Sequence, residues 1–74
     1  MFIEVNGEKR DAPQSLTLTE LIEHLNFAPE RLAIELNRQV IRRKDWPNVA
    51  LSEGDRVEIV HFVGGGNIGA TGEL

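Results

Sequence analysis

The segment Arg56-Val57-Glu58-Ile59-Val60-His61-Phe62-Val63 constrains the fold of this chain more than any other. Side chains alternate across a strand, so Val57, Ile59, His61 and Val63 fall on one face and Glu58, Val60 and Phe62 on the other. Apolar residues on both faces mark a central strand with neighbours on each side. It is the last strand the sequence offers, so the chain must close by inserting its end into the middle of a sheet. Without an intervening turn, the strand runs into Gly64-Gly65-Gly66. Strand residues restrict the backbone and glycine frees it, which predicts a fixed sheet followed by a mobile arm able to enter a narrow partner site. The working group is then the end of the main chain. Asn67-Ile68-Gly69-Ala70-Thr71-Gly72-Glu73-Leu74 follows, and chemistry that needs a free glycine carboxylate would require its removal.

The neighbours of that strand are written earlier in the sequence. Phe2-Ile3-Glu4-Val5 and Lys9-Arg10-Asp11-Ala12 flank Asn6-Gly7, a hairpin signal because both turn residues tolerate positive φ. Thr17-Leu18-Thr19-Glu20 has the spacing of a capping box, which predicts a helix from about Leu18. Leu18, Leu21, Ile22 and Leu25 form its apolar stripe, and Asn26 and Pro29 end it. Leu32–Asn37 reads as a buried strand turning at Asn37-Arg38-Gln39 into the short Val40-Ile41. Arg42–Asn48 is expected to be an irregular surface loop, since Pro47 opposes a ladder or a long helix, with Trp46 as its anchor. Ser52-Glu53-Gly54-Asp55 is a turn leading into the last strand.

The chain has 74 residues, a formal charge of −4 and no cysteine. One small domain without disulfides or thiolate metal sites follows. No segment approaches the ~18 apolar residues of a membrane span and the N-terminus lacks the features of a signal peptide, so a cytoplasmic protein is expected. The acidic balance argues against general nucleic-acid binding and suits a basic protein partner. His61 on a strand, with His24 remote in sequence, reads as structural, and no metal is expected. Glu20 and Glu23, and Glu53 and Asp55, fit capping and turn roles better than acid–base catalysis. Arg38, Arg42, Arg43 and Lys44 form a basic cluster that reads as a solvated turn.

A hairpin, a helix laid across it and further strands is the α+β order of the ubiquitin-like β-grasp fold: a mixed sheet of four to five strands, one main helix and a flexible glycine-rich tail. The expected division is a domain over 1–63 and a tail over 64–74, with the extension at 67–74. Ile3-Glu4-Val5-Asn6-Gly7-Glu8, Leu36–Arg43 followed by Trp46, and Leu51–Gly66 together resemble the ThiS family, the sulfur carriers of thiamin biosynthesis. The similarity runs from Met1 to Gly66. It implies that Gly66, with Gly65 as runner-up, becomes the C-terminal carboxylate that is adenylated and converted to a thiocarboxylate. Phe62, Val63, Gly64 and Gly65 would then bind the partner, with other apolar residues near Phe62 on the docking face. The implied partners are an E1-like adenylating enzyme of the ThiF type, a thiazole synthase of the ThiG type, a cysteine desulfurase acting indirectly, and a peptidase that cuts after Gly66. ATP and a persulfide would be used through those partners, with no cofactor bound and no catalytic groups on the carrier. Two other readings stay open: a carrier resembling the molybdopterin-synthase small subunit, and a β-grasp interaction module or ubiquitin-like modifier that carries no sulfur.

Overall fold

The computed structural model describes residues 1–62. Strands β1 (Phe2–Val5) and β2 (Glu8–Asp11) form the N-terminal hairpin, followed by helix α1 (Leu18–His24), β3 (Leu32–Leu36), β4 (Gln39–Ile41) and β5 (Arg56–His61). The sheet order is β2-β1-β5-β3-β4. β5 pairs parallel with β1 and antiparallel with β3, and both hairpins are antiparallel. The last described strand is therefore central, as its two apolar faces require, and the mixed β-grasp sheet, expected with four to five strands, has five.

Local chemistry explains each element. Asn6 (φ 49°) and Gly7 (φ 84°) supply the two left-handed residues of a tight hairpin turn, so β2 starts at Glu8, one residue earlier than the sequence pattern places it. The capping box is made in full: the Glu20 amide donates to Thr17 Oγ1 at 3.1 Å and the Thr17 amide donates to Glu20 Oε1 at 2.9 Å. Leu25 caps the C-terminus of α1 and Asn26 (φ 60°) takes the left-handed position beyond it. A seven-residue helix has too few internal bonds to stand alone, so the cap and its buried face must hold it. Thr17→Ala is expected to lower stability by about 1 kcal/mol in urea unfolding followed by circular dichroism, because the Glu20 amide loses its acceptor Oγ1.

The core lies between α1 and one face of the sheet. Ile3 and Val5 of β1, Val57 and Ile59 of β5 and Leu32 and Ile34 of β3 meet Leu18, Leu21 and Ile22 of the helix, with Leu16, Leu51 and Trp46 closing the sides. Arg43–Asn48 differs from the irregular loop expected: it is a short 3-10 helix. Its i to i+3 bonds run from the Asp45 amide to Arg42 O (2.9 Å) and from the Val49 amide to Trp46 O (3.3 Å), so they bracket Pro47, whose missing amide is not called upon. Trp46 is an anchor, buried and donating from Nε1 to Ile41 O at 3.0 Å. A second 3-10 turn, Pro29–Arg31, leads into β3. β3 ends at Leu36, and Asn37 (φ 50°) and Arg38 (φ 73°) make the turn expected of them, whereas Gln39, expected as the third turn residue, already begins β4.

Two asparagines hold β5 from opposite sides. Asn6 Oδ1 accepts from the Ile59 amide (2.8 Å) and Asn37 Oδ1 accepts from the Arg56 amide (2.9 Å). Asn37 Nδ2 also donates to Asp55 Oδ1 (3.1 Å), whose Oδ2 accepts from the Ser52 amide (2.8 Å). Glu53 Oε1 accepts from the Phe2 amide (3.0 Å). The carboxylates of Glu20 and Asp55 thus serve a cap and a turn, as their sequence positions suggest, whereas that of Glu53 ties its turn to the distant start of β1.

Candidate functional site

The site is built around the point where the chain leaves β5. The Phe62 amide donates to Arg31 O (2.8 Å), one hydrogen bond beyond the end of the strand. With the two asparagine clasps at its start and middle, this bond fixes β5 along its whole length. The root of whatever follows is therefore held rigidly by the sheet. Val63, Gly64, Gly65 and Gly66, named from the sequence as binding and reactive residues, lie outside the described residues, as does the extension from Asn67 to Leu74.

The two faces of β5 differ near this exit. On the helix side, His61 packs edge-on against Phe27, with ring centroids 4.8 Å apart and planes at 80°. Its Nδ1 is buried and has no hydrogen-bond partner among the described residues. That placement beside Phe27 and across from Leu32 is a packing position. On the other side, no helix covers the sheet among the described residues. Val60 stands opposite Ala33 and is half-buried, like Phe62. One step further along, Glu58 stands directly opposite Glu35. Like charges in directly opposed positions repel, so this pair is a liability unless a cation arrives. Glu4 and Arg56 form an ion pair at 3.7 Å on the same face, and Lys9 sits 4.5 Å above the Phe2 ring. The open face is thus apolar toward the exit and acidic in its middle.

Among the described residues there is no group of three or more His, Cys, Asp or Glu side chains able to hold a metal ion. No described helix is long and apolar enough to cross a membrane. What the geometry offers is a rigid platform with an open sheet face and a chain end leaving its centre.

The model of the ThiS family matches residues 3–66, ending on the third glycine of the run. The chain belongs to the ThiS family. That family comprises the small sulfur carriers of thiamin biosynthesis, and its β-grasp sheet is the one described above. A crystal structure of the thiamine biosynthesis protein ThiS from Geobacter metallireducens superposes with a TM-score of 0.79 at 36% identity, covering 89% of this chain and 100% of that one. The sulfur carrier protein ThiS of Bacillus subtilis is 34% identical over 69 residues, which is 88% of this chain and 100% of that protein. A thiazole synthase from Magnetococcus marinus is 46% identical over 66 residues, covering 89% of this chain but 20% of the synthase. The chain thus spans about a fifth of the length of the two thiazole synthases it matches, from Magnetococcus marinus and Paramagnetospirillum magneticum.

Sequence reasoning missed two features of the ThiS-like site. Asn6 and Asn37 were legible only as turn residues, because nothing local shows that their side chains reach a strand far along the chain. The basic residues were grouped by proximity in sequence, whereas the β3–β4 register places Arg38 at one end of the hairpin and Arg42, Arg43 and Lys44 at the other.

Proposed function

We propose that this chain is a sulfur carrier whose C-terminal glycine carboxylate, at Gly66, is the reacting group. The observation that carries this reading is the family match, which follows the central strand through its exit and stops at Gly66. A carboxylate is a poor electrophile: its charge repels nucleophiles and oxide is a poor leaving group. Attack of the Gly66 carboxylate oxygen on the α-phosphorus of ATP, with release of pyrophosphate, makes a mixed anhydride whose leaving group is AMP. A persulfide sulfur then displaces AMP at the acyl carbon, and attack of a second thiolate on the outer sulfur of the resulting acyl disulfide forms a new disulfide between the two thiol sulfurs and releases the thiocarboxylate. These steps belong to an E1-like adenylating enzyme of the ThiF type, supplied with sulfur through a cysteine desulfurase. The carrier is their protein co-substrate and not itself an enzyme.

Glycine suits the approach because it has no Cβ to clash with the walls of a nucleotide site. Val63 to Gly66 span at most ~13 Å, enough to enter a cleft while the folded body docks outside. The open apolar area of Ala33, Val60 and Phe62 is the part of that body adjoining the exit, and it would meet the adenylating enzyme together with Val63, Gly64 and Gly65. A thiazole synthase of the ThiG type is the sulfur acceptor that the comparisons favour over molybdopterin synthase, since ThiS-like sequence recurs within much longer thiazole synthase chains. Residues Asn67–Leu74 must be removed, by a peptidase cutting after Gly66, before the carboxylate exists.

The intact mass of the protein recovered from its own cells tests this directly. A species ending at Gly66, with one oxygen exchanged for sulfur in part of the population, is the expected result. Recovery only of chains in which Gly66 remains amide-linked to Asn67 would reject the assignment of the reacting group.

A further inference from the structure

The basic residues near β4 form one cluster in the sequence but two in the structure. In the β3–β4 register Ile34 stands opposite Ile41, so Arg38 lies at the hairpin turn while Arg42, Arg43 and Lys44 lie past the opposite end of β4. That second end is where β5 finishes: Leu32 pairs with His61, and the Phe62 amide donates to Arg31 O. Arg43 closes the arrangement by donating from Nη2 to Glu30 O at 3.2 Å. Arg31, Arg42, Arg43 and Lys44 therefore share the end of the sheet from which the chain departs toward Gly66, and all four are exposed. Arg31, remote from the others in sequence, joins them through the fold alone.

Their bonding sets them apart from most of the other cations. Arg10 pairs with Glu8, Arg56 pairs with Glu4, and Lys9 lies over Phe2. Among the described residues, none of the four exit cations forms an ion pair. Among the described residues the carboxylates at this end are Glu30 and Asp45, so the described residues there sum to +2 while the whole chain carries −4. An acidic protein has thus gathered positive charge, without an ion pair among the described residues, around the root of its reactive segment.

We propose that this end of the sheet is an electrostatic docking collar for an acidic protein surface rimming the cleft that receives the glycine segment. The proposal rests on the sulfur-carrier reading and deepens it by naming the chemistry of the partner surface. Gly66 lies up to ~13 Å beyond Phe62, so an extended segment carries its carboxylate, and the phosphate that joins it, past the reach of side chains at the root. The cations consequently meet the mouth of the cleft and not the nucleotide. Charges at such a rim act mainly on encounter and orientation, and their effect fades as salt screens them.

The test compares two double variants of the form ending at Gly66 with the parent, using a purified ThiF-type adenylating enzyme, ATP and pyrophosphate release as the readout. Arg42→Glu/Lys44→Glu reverses two collar charges, and Arg10→Glu/Arg38→Glu makes the same change in net charge away from the exit. Circular dichroism and thermal melts confirm that both fold. At low salt the collar variant is expected to raise KM by about tenfold with kcat unchanged, the remote variant to change it by less than about threefold, and high salt to bring all three together. Equal losses in the two variants would overturn the location, leaving only net charge. A fall in kcat with KM unchanged would overturn the docking role in favour of contact with the nucleotide phosphate, and no change in either would overturn the collar altogether. Titration calorimetry of the carrier with the same enzyme, without ATP and at two salt concentrations, separates this inference from the chemistry. Salt-sensitive binding weakened by the collar variant upholds the collar even where no pyrophosphate appears, whereas the loss of pyrophosphate release in the parent counts against the sulfur-carrier reading. Binding that is absent or indifferent to the collar charges rejects the collar.

Discussion

A chain ending at Gly66 is expected to drive pyrophosphate release from ATP in the presence of a ThiF-type adenylating enzyme, and the chain that keeps Asn67–Leu74 is expected to stay at background. The difference is chemical before it is structural. In the longer chain the Gly66 carbonyl is an amide, whose oxygen carries no full negative charge and whose carbon holds nitrogen in place of an ionisable oxygen. No anhydride with AMP can form there without breaking a peptide bond. A form ending at Gly65 discriminates further. It shortens the reach by ~3.3 Å, and displacement of a reacting atom by about 1 Å is enough to cost about a hundredfold in rate. The Gly65 form should therefore run at least that much slower than the Gly66 form at saturating carrier. A faster Gly65 form would assign the reacting carboxylate to Gly65, equal rates would overturn the discrimination by reach, and full activity of the untrimmed chain would remove the need for processing.

Trp46→Ala is expected to unfold most of the population at room temperature. The indole is 2% exposed and spans the side of the core between the 3-10 helix and the helical layer. Truncating a buried tryptophan costs roughly 3–5 kcal/mol, and a domain of this size has a total stability of about 5 kcal/mol or less. The hydrogen bond from Nε1 to Ile41 O adds a smaller amount, since its loss strands a partly buried carbonyl. Trp46→Phe retains most of the apolar volume and is expected to fold with a loss of about 2 kcal/mol or less. Urea unfolding followed by far-ultraviolet circular dichroism reads both variants. A Trp46→Ala protein with an unchanged midpoint would mean that the ring fills no essential part of the core.

What could be read from the sequence was whatever is decided locally. The Asn6-Gly7 turn, the Thr17–Glu20 capping box and the two-faced apolar pattern of β5 each rest on residues a few positions apart, and each is realised. The resemblance to the ThiS family rested on longer runs, and the family match bears it out. Features set by tertiary register were not legible. Asn6 looks like a turn residue and is one, yet its side chain also caps a strand 53 positions away. Arg38 looks like part of a basic run with Arg42, but a three-residue strand carries them to opposite ends of a hairpin. The 3-10 helix around Pro47 escaped because a proline argues against an α-helix far more strongly than against a pair of i to i+3 bonds that pass it by.

The central placement of β5 also bears on how the chain is made. β1 and β2 are synthesised before the other described strands, but β1 and β3 have no common neighbour until β5 has been synthesised and threaded between them. The hydrogen bonds that join Asn6 to Ile59 and Phe2 to Glu53 close loops of 53 and 51 residues, nearly the length of the folded region. Such distant pairings are the slow ones, and here none can precede translation of the final strand. A nascent chain arrested before β5 would hold two hairpins that share no strand and a short helix with no joined sheet to cover. Completing the fold is therefore a read-through check: the compact state forms only on chains translated through β5, the strand that precedes the glycine run in sequence.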